Sequence, residues 1–402
     1  MDNKNIKIGI VTHYYKSSNY GGNLQAYALC KYLNRLGYTA EQICFPLSSQ
    51  NIVVETIDKN DLPFIDKLKL IKTKFNIFIY NLITIFKRYN ARKKILLRKK
   101  CIEDFNSFIP HSEFLCENND FSSALNKYDI FITGSDQVWN PIGYNPIYFL
   151  DFVPSNKPKI SYAASIAQSK LNEYQEDLFK KHLSDFIAIS VREQASVKLL
   201  SKLSPVDVKW VIDPTLLLSQ QDWEEICADK HFNEPYIFCY FLGSDPSGRT
   251  AAKKFAAKKN LKIATLPYLQ GKYRQIDDNF GDYKLYDISP KDFISLIKYA
   301  EYIFTDSFHA IAFSEIYKKE YFIFHRFEAK EMASRIYDLT ELFNHSDRFL
   351  NTPEKSCYEY ISKLPKMNYI KSNKFEKLKQ QSIEYLINCL KISEELIDES
   401  KA

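Results

Sequence analysis

A chain of 402 residues, 45% of them hydrophobic and 26% charged, is too long for one ordinary core and too apolar for a disordered or fibrous protein, so two globular domains are expected. The formal net charge is +6, but residues 67–100 hold twelve Lys/Arg (Lys67, Lys69, Lys72, Lys74, Lys87, Arg88, Arg92, Lys93, Lys94, Arg98, Lys99, Lys100) and no Asp or Glu, which leaves −6 for the rest. The eight cysteines form no CxxC pair and several sit in apolar runs, Cys239 in YIFCYF for one, so a thiolate zinc site is not expected, and no other metal-ligand spacing points to a metal.

The first residues, MDNKNIKIGIV, lack the apolar core of a signal peptide. No run reaches the ~18 apolar residues of a membrane span. The expectation is a protein of the reducing cytoplasm, with no nucleic-acid partner.

In chain order, residues 6–12 (IKIGIVT) read as a buried strand, 13–22 as a loop ending in Gly21-Gly22, and 23–36 as a helix stopped by Gly37. Strand, glycine loop and helix is the general plan of an anion cradle, because glycine lets backbone N–H groups approach a ligand. The spacing fits neither a P-loop nor GxGxxG, which argues against an ATPase or a dinucleotide enzyme. Residues 40–46 predict a second strand.

Residues 64–108 predict a basic helical insertion. Ile71, Phe75, Phe78, Leu82, Ile85 and Tyr89 recur at three and four residues, the spacing of an amphipathic helix. Two readings stand: a helical hairpin packed on the sheet with a solvated basic face, or peripheral docking of 67–100 on an anionic membrane surface or a phosphate-bearing lipid carrier.

Residues 128–135, 159–166, 186–192 and 208–217 read as further strands that end in polar groups: Gly134-Ser135-Asp136-Gln137, then Ser165 and Gln168, then Arg192-Glu193, then Asp213-Pro214. Asp213-Pro214 reads as a structural turn. The pattern restarts at 235–243 with a strand, followed by a polar turn at 244–248, a helix at 251–259, a strand at 262–266 and a helix at 291–299. A last strand covers 321–325 and a terminal helix 374–396. Each half therefore presents strand ends, which predicts two Rossmann-like α/β lobes facing across a cleft. The divisions are 1–190 for the acceptor-side lobe, 191–375 for the donor-side lobe and 376–402 for the terminal helix.

The unit at 302–318 (YIFTDSFHAIAFSEIYK) is the most chemical. A short strand, a polar turn and a helix place His309 at a helix N-terminus, where free N–H groups attract anions and where an imidazole can carry a proton near neutral pH. Its structural counterpart is a half-buried histidine on a core helix. The remaining histidines, His13, His111, His182, His231, His325 and His345, belong to no constellation.

Four stretches in this order, SNYGGNLQAYAL (18–29), ITGSDQVWN (132–140), SVRE (190–193) with IDPT (212–215), and FTDSFHA (304–310), resemble the polysaccharide pyruvyl transferase family over residues 6–340 or so. The resemblance implies a GT-B-like fold and transfer of the enolpyruvyl group of phosphoenolpyruvate, as donor substrate and with no cofactor, onto a sugar as a pyruvate ketal. The implied acceptor is a hexose, galactose being favoured, on a polyprenyl-diphosphate-linked glycan at the inner face of the membrane, in capsule or exopolysaccharide synthesis. A nucleotide-sugar-dependent glycosyltransferase of the same shape is the alternative.

Matched to the family's motifs, His309 is the candidate acid–base residue and Asp136 the candidate acceptor-side base or hydroxyl-orienting group. Arg192, Ser307 and Phe308 are implied on the donor side, and Asn19, Gly21, Gly22, Asn23, Gln25, Ser135 and Gln137 on the acceptor side. Many members have an arginine two residues before the histidine, where this chain has Ser307. The donor's charge then falls to other cations, such as Arg326 or Arg335, because so charged a ligand needs guanidinium groups or helix N-termini around it.

Overall fold

The computed structural model describes residues 5–46, 74–269, 274–326, 333–352, 354–370 and 372–401, with backbone alone for 74–88, 275 and 401. The sequence expectations at 64–73, and the side chains of Ile71, Phe75, Phe78, Leu82 and Ile85, lie outside it, as do Lys67, Lys69, Lys72, Lys74, Lys87 and Arg88.

The first lobe is built from β1 (Lys7–Val11), α1 (Tyr20–Arg35), β2 (Thr39–Cys44), α2 (Lys74–Phe105), β3 (His111–Leu115), α3 (Ser122–Lys127), β4 (Ile130–Thr133) and β5 (Lys159–Ser161). Its sheet has the order β3-β2-β1-β4-β5 and all its neighbours run parallel. Strands of such a sheet are covered on both faces and read as continuous apolar runs. Accordingly Ile8 and Ile10 join the cluster under α1, while Val11, Ile43 and Phe131 join the one on the other side. After α4 (Glu173–Leu183) come β6 (Ile189–Val191), α5 (Gln194–Leu200) and β7 (Val208–Trp210). This short pair continues the sheet through bridges from Ile160 to Ala188 and from Ala164 to Val191.

The second lobe follows α6 (Gln220–Glu224). It comprises β8 (Tyr236–Tyr240), α7 (Pro246–Lys259), β9 (Lys262–Thr265), β10 (Tyr283–Lys284), α8 (Pro290–Lys298), β11 (Tyr302–Thr305), α9 (Phe308–Ile316), β12 (Glu320–Phe324), α10 (Ala333–Leu342), β13 (Phe349–Leu350) and α11 (Tyr358–Ile361). Its order, β10-β9-β8-β11-β12-β13, is again wholly parallel. Counted from the first strand of each lobe, both sheets wind outward, return to the middle and continue the other way. Each therefore has one topological switch, between β1 and β4 in the first lobe and between β8 and β11 in the second.

The lobes share apolar surface. Tyr20 of α1 stacks on Phe293 of α8 at 5.0 Å, and Trp223 meets Tyr27 and Phe313. The terminal helix α12 (Asn373–Lys401) crosses back to the first lobe. Its Ser382 Oγ accepts from the Ile212 N–H at 3.0 Å, its Tyr385 hydroxyl donates to Ser161 O at 2.9 Å, and Tyr38 donates to Glu394.

Two helices begin well before the sequence reading has them. Helix α1 begins at Tyr20, so Gly21 and Gly22 lie in its first turn and not in the loop; Asn19 caps it, accepting from the Gly21 N–H at 3.0 Å. Helix α7 begins at Pro246 inside the expected polar turn, because Asp245 caps Ser247 N and proline suits the first helical position.

Candidate active site

Sequence motifs converge at the two switches. In the first lobe Thr12 and His13 follow β1, and Gly134-Ser135-Asp136 follows β4. In the second, Phe241-Leu242-Gly243 follows β8 and Asp306-Ser307-Phe308-His309 follows β11. Between them lie Arg192, just beyond β6, and Asp213, beyond β7.

Asp213 is the hub. It is 1% exposed. Its Oδ2 accepts from Arg192 Nη1 at 2.7 Å and from Ser135 Oγ at 3.1 Å; its Oδ1 accepts from Thr215 N at 3.0 Å and Thr215 Oγ1 at 2.7 Å. His309 Nε2 stands 3.6 Å from Asp213 Oδ2, outside hydrogen-bond range, and has no other partner among the described residues. Burial works against the Asp213 charge, but His309 and Arg192 outweigh it and hold the carboxyl well below the usual carboxylate range. The sequence reading of Asp213-Pro214 as a turn is half of its role: the aspartate caps that turn and also joins arginine to histidine.

Arg192 and Glu193, which could have been a surface pair, are both buried. Arg192 Nη2 lies 3.8 Å from Asp136 Oδ1, and its Nε lies 3.7 Å from Glu193 Oε1. Neither nitrogen has a hydrogen-bond partner among the described residues. Burial disfavours the guanidinium charge, yet Asp213, Glu193 and Asp136 raise its pKa. The guanidinium lies 4.4 Å over the Phe308 ring, a cation–π contact that fixes its plane. Ser165 Oγ and Ser196 Oγ donate to Glu193.

A second cationic layer comes from beyond β12. The pKa of buried Arg335 on α10 is pushed down to about 10, first by burial and then by Arg192 and Arg326, so Arg335 feels the charge of both. Arg326 Nη2 donates to Asp306 O at 3.0 Å. Asp306 itself accepts from Leu242 N and Gly243 N, both at 2.7 Å, tying the β8 loop to the end of β11. Ser307, buried, turns its N–H to Thr305 Oγ1 at 3.0 Å.

Asn19, Gly21 and Gly22 approach from the first lobe. A methyl group at Gly21 would lie 1.9 Å from His309 Nδ1, so only glycine lets the imidazole lie against α1. Asn19 Nδ2 donates to Asp136 Oδ2 at 3.0 Å. Asp136 has φ of 73°, a left-handed conformation that Asp tolerates better than most residues. Asn23 and Gln25 face inward: Asn23 Nδ2 donates to Asn19 O at 2.8 Å, and Gln25 Nε2 to Thr12 Oγ1 and Gly22 O at 2.9 Å. They fix the loop between β1 and α1. Gln137 is half-buried and accepts from Asn140 Nδ2 at 3.1 Å. Among the described residues no group of three or more His, Cys, Asp or Glu side chains could hold a metal ion.

The arrangement defines a class: a two-lobed, parallel-sheet protein with a buried cluster of guanidinium, carboxylate and imidazole groups where the lobes meet. The family model described as polysaccharide pyruvyl transferase matches residues 19–324. The chain belongs to the polysaccharide pyruvyl transferase family.

Among solved structures, UDP-N-acetylglucosamine 2-epimerase from Rickettsia bellii is similar at 9% identity, covering 95% of this chain and 96% of that one with a TM-score of 0.52. The Neisseria meningitidis UDP-GlcNAc 2-epimerase bound to UDP-GlcNAc shows 13% identity over 95% and 100%, with a TM-score of 0.49. At 9% identity the likeness to the Rickettsia structure concerns the fold, which is the expected GT-B-like one. No curated protein matches the chain.

Proposed function

We propose that this protein moves the enolpyruvyl group of phosphoenolpyruvate onto a hexose, galactose by preference, of a polyprenyl-diphosphate-linked glycan, forming a pyruvate ketal for a bacterial capsule or exopolysaccharide. The observation that carries the reading is His309: an imidazole at the second switch, its Nε2 without a hydrogen-bond partner among the described residues, beside Asp213-bound Arg192.

Phosphate and carboxylate would meet Arg192, Arg326, Arg335 and the N-terminal turn of α9, which together supply the charge that an arginine at position 307 supplies in many members. His309 would give a proton to the methylene carbon, C3, making C2 electrophilic. A sugar hydroxyl adds to C2, phosphate leaves with the C2–O electron pair, and the second hydroxyl closes the ring. Of the two hydroxyl protons, one restores the histidine and one leaves on phosphate. Asp136, with its oxygens toward Asn19 and Arg192, orients the hydroxyls. No step calls on a metal or other cofactor.

The basic helix suits a lipid-linked acceptor. Arg92, Lys93 and Lys100 are exposed on α2 with Tyr89, Leu96 and Leu97, a combination that favours peripheral contact with an anionic bilayer. No helix among the described residues is long and apolar enough to cross a membrane.

Incubation with phosphoenolpyruvate and a panel of hexosides should release phosphate and add the mass of a pyruvate ketal. His309→Ala should remove both while the variant stays folded. Full activity in that variant removes His309 from the mechanism, and stabilisation by UDP- or GDP-sugars but not by phosphoenolpyruvate favours a glycosyltransferase.

A further inference from the structure

His13 has no part in the scheme above, yet it is built into the first switch. It lies just beyond β1, and Asp136 lies just beyond β4, the two strands that flank the reversal of strand order. Open parallel sheets bind ligands at that place. Gly22 lies between the two residues: a methyl there would come within 2.6 Å of His13 O and 3.2 Å of Asp136 Oδ2.

The imidazole is held on one side only. It stacks on Tyr148 with centroids 4.2 Å apart and planes at 22°, and Tyr148 OH is 3.3 Å from Nδ1. Tyr148 is itself pinned, its carbonyl accepting from Thr133 Oγ1 and Trp139 Nε1 at 2.9 Å. The other ring nitrogen, Nε2, is enclosed and has no hydrogen-bond partner among the described residues. Buried polar atoms usually have a hydrogen-bond partner, and one without calls for an explanation.

The titratable groups facing the ring are Tyr148, from the 146–149 turn, and Asp136; from α1 the neighbour is Gly22. Burial lowers the pKa of His13 and Asp136 partly opposes this. The ring is thus neutral at pH 7, and a proton that arrives meets a carboxylate. Burial raises the Tyr148 pKa, which keeps its phenol protonated.

We infer that His13 is the acceptor-side base, its Nε2 taking the proton of the attacking hydroxyl while Asp136 stabilises the imidazolium formed. The inference rests on the transferase reading. In the first addition the hydroxyl O–H bond breaks toward Nε2 and its oxygen bonds to C2. The C2–C3 π pair takes the His309 proton at C3. One proton leaves the acceptor and one enters the donor. When phosphate leaves and the second hydroxyl closes the ring, that hydroxyl's proton departs with phosphate, and His13 returns its own to His309 through solvent.

The test uses the full chain, phosphoenolpyruvate and a panel of aryl hexosides, reading phosphate release and ketal mass from pH 5 to 9. His13→Gln should lower kcat by about 10²–10⁴-fold while keeping the thermal stabilisation that phosphoenolpyruvate gives the wild type. The acid limb of the kcat/KM profile, which a base must produce, should vanish, and the alkaline limb should persist. Wild-type rate with both limbs in His13→Gln overturns the inference. Wild-type protein that releases no phosphate with any hexoside overturns the transferase reading and this inference with it. Should His13→Gln fold poorly, Tyr148→Phe supplies the test: a displaced acid limb supports the assignment, and an unmoved one refutes it.

Discussion

Gly21 shows two residue-scale effects in opposition. Replacing a helical glycine by alanine ordinarily gains about 0.5–1 kcal/mol of backbone entropy. Here the added methyl would sit 1.9 Å from His309 Nδ1, and overpacking of that kind costs about 1–3 kcal/mol. The clash should win. Gly21→Ala is expected to lower the melting temperature by a few degrees and to remove most phosphate release; a variant that is both more stable and fully active would show that His309 does not lie against α1.

The residues that sequence reading found and those it passed over differ in one physical respect. Asn19, Gly21, Asp136, Arg192 and His309 stand in strand–turn–helix patterns whose signals lie within a few neighbours. Asp213 was legible as a turn for the same reason. Its contacts with Ser135, Arg192 and His309 are set by folding, and nothing in IDPT announces them. The stacking of His13 on Tyr148 is likewise a product of tertiary structure.

At the scale of elements, α9 is held at both ends. Its first residues face Arg192 and Gly21, and near its last turn Glu315 accepts from Tyr321 OH at 2.5 Å and lies 2.7 Å from His345 Nδ1. His345 Nε2 lies 3.2 Å from Asn368 O, so both ring nitrogens face acceptors and the protonated ring fits best. Burial acts to lower the His345 pKa, but Glu315 outweighs it and the pKa rises.

A raised pKa contributes stability that is complete below the unfolded value of about 6.5 and is lost as pH climbs through the higher folded value. The melting temperature should therefore fall from pH 6 toward pH 8, and His345→Gln should start lower and show a flatter profile. An equally steep decline in the variant would place the pH dependence elsewhere. The central strands and the helices α1, α2, α7, α8, α9 and α12 were readable from the hydrophobic periods, whereas the short β3, β10 and β13 and the helices α3–α6, α10 and α11 were not read; the starts of α1 and α7 were missed because the caps Asn19 and Asp245 lie inside stretches that look like loop.

At the scale of the whole molecule, the insertion helix is also a strut. Arg98 is buried and donates to Tyr286 O at 2.7 Å through Nε and to Leu285 O at 2.6 Å through Nη2, with its guanidinium 5.5 Å over Tyr20. Lys94 Nζ donates to Tyr286 OH at 3.1 Å. Both residues bridge from α2 to the second lobe, which the count of basic residues could not reveal. Charged hydrogen bonds contribute about 1.5–3 kcal/mol each. Arg98→Ala should accordingly lower the melting onset by several degrees, whereas Arg92→Ala with Lys93→Ala should leave it unchanged and weaken flotation with anionic vesicles. A silent Arg98→Ala would mean that α2 does not brace the lobes.

The backbone passes from the first lobe to the second after β7 and comes back along α12, which is bonded to Ile212 and Ser161. Two crossings leave far less freedom than one. A single linker would let the halves swivel and slide; a second crossing, with Arg98 of α2 bonded to Leu285 and Tyr286 as a third tie, takes both freedoms away. Gly21 and His309 are thereby kept in one register across the seam.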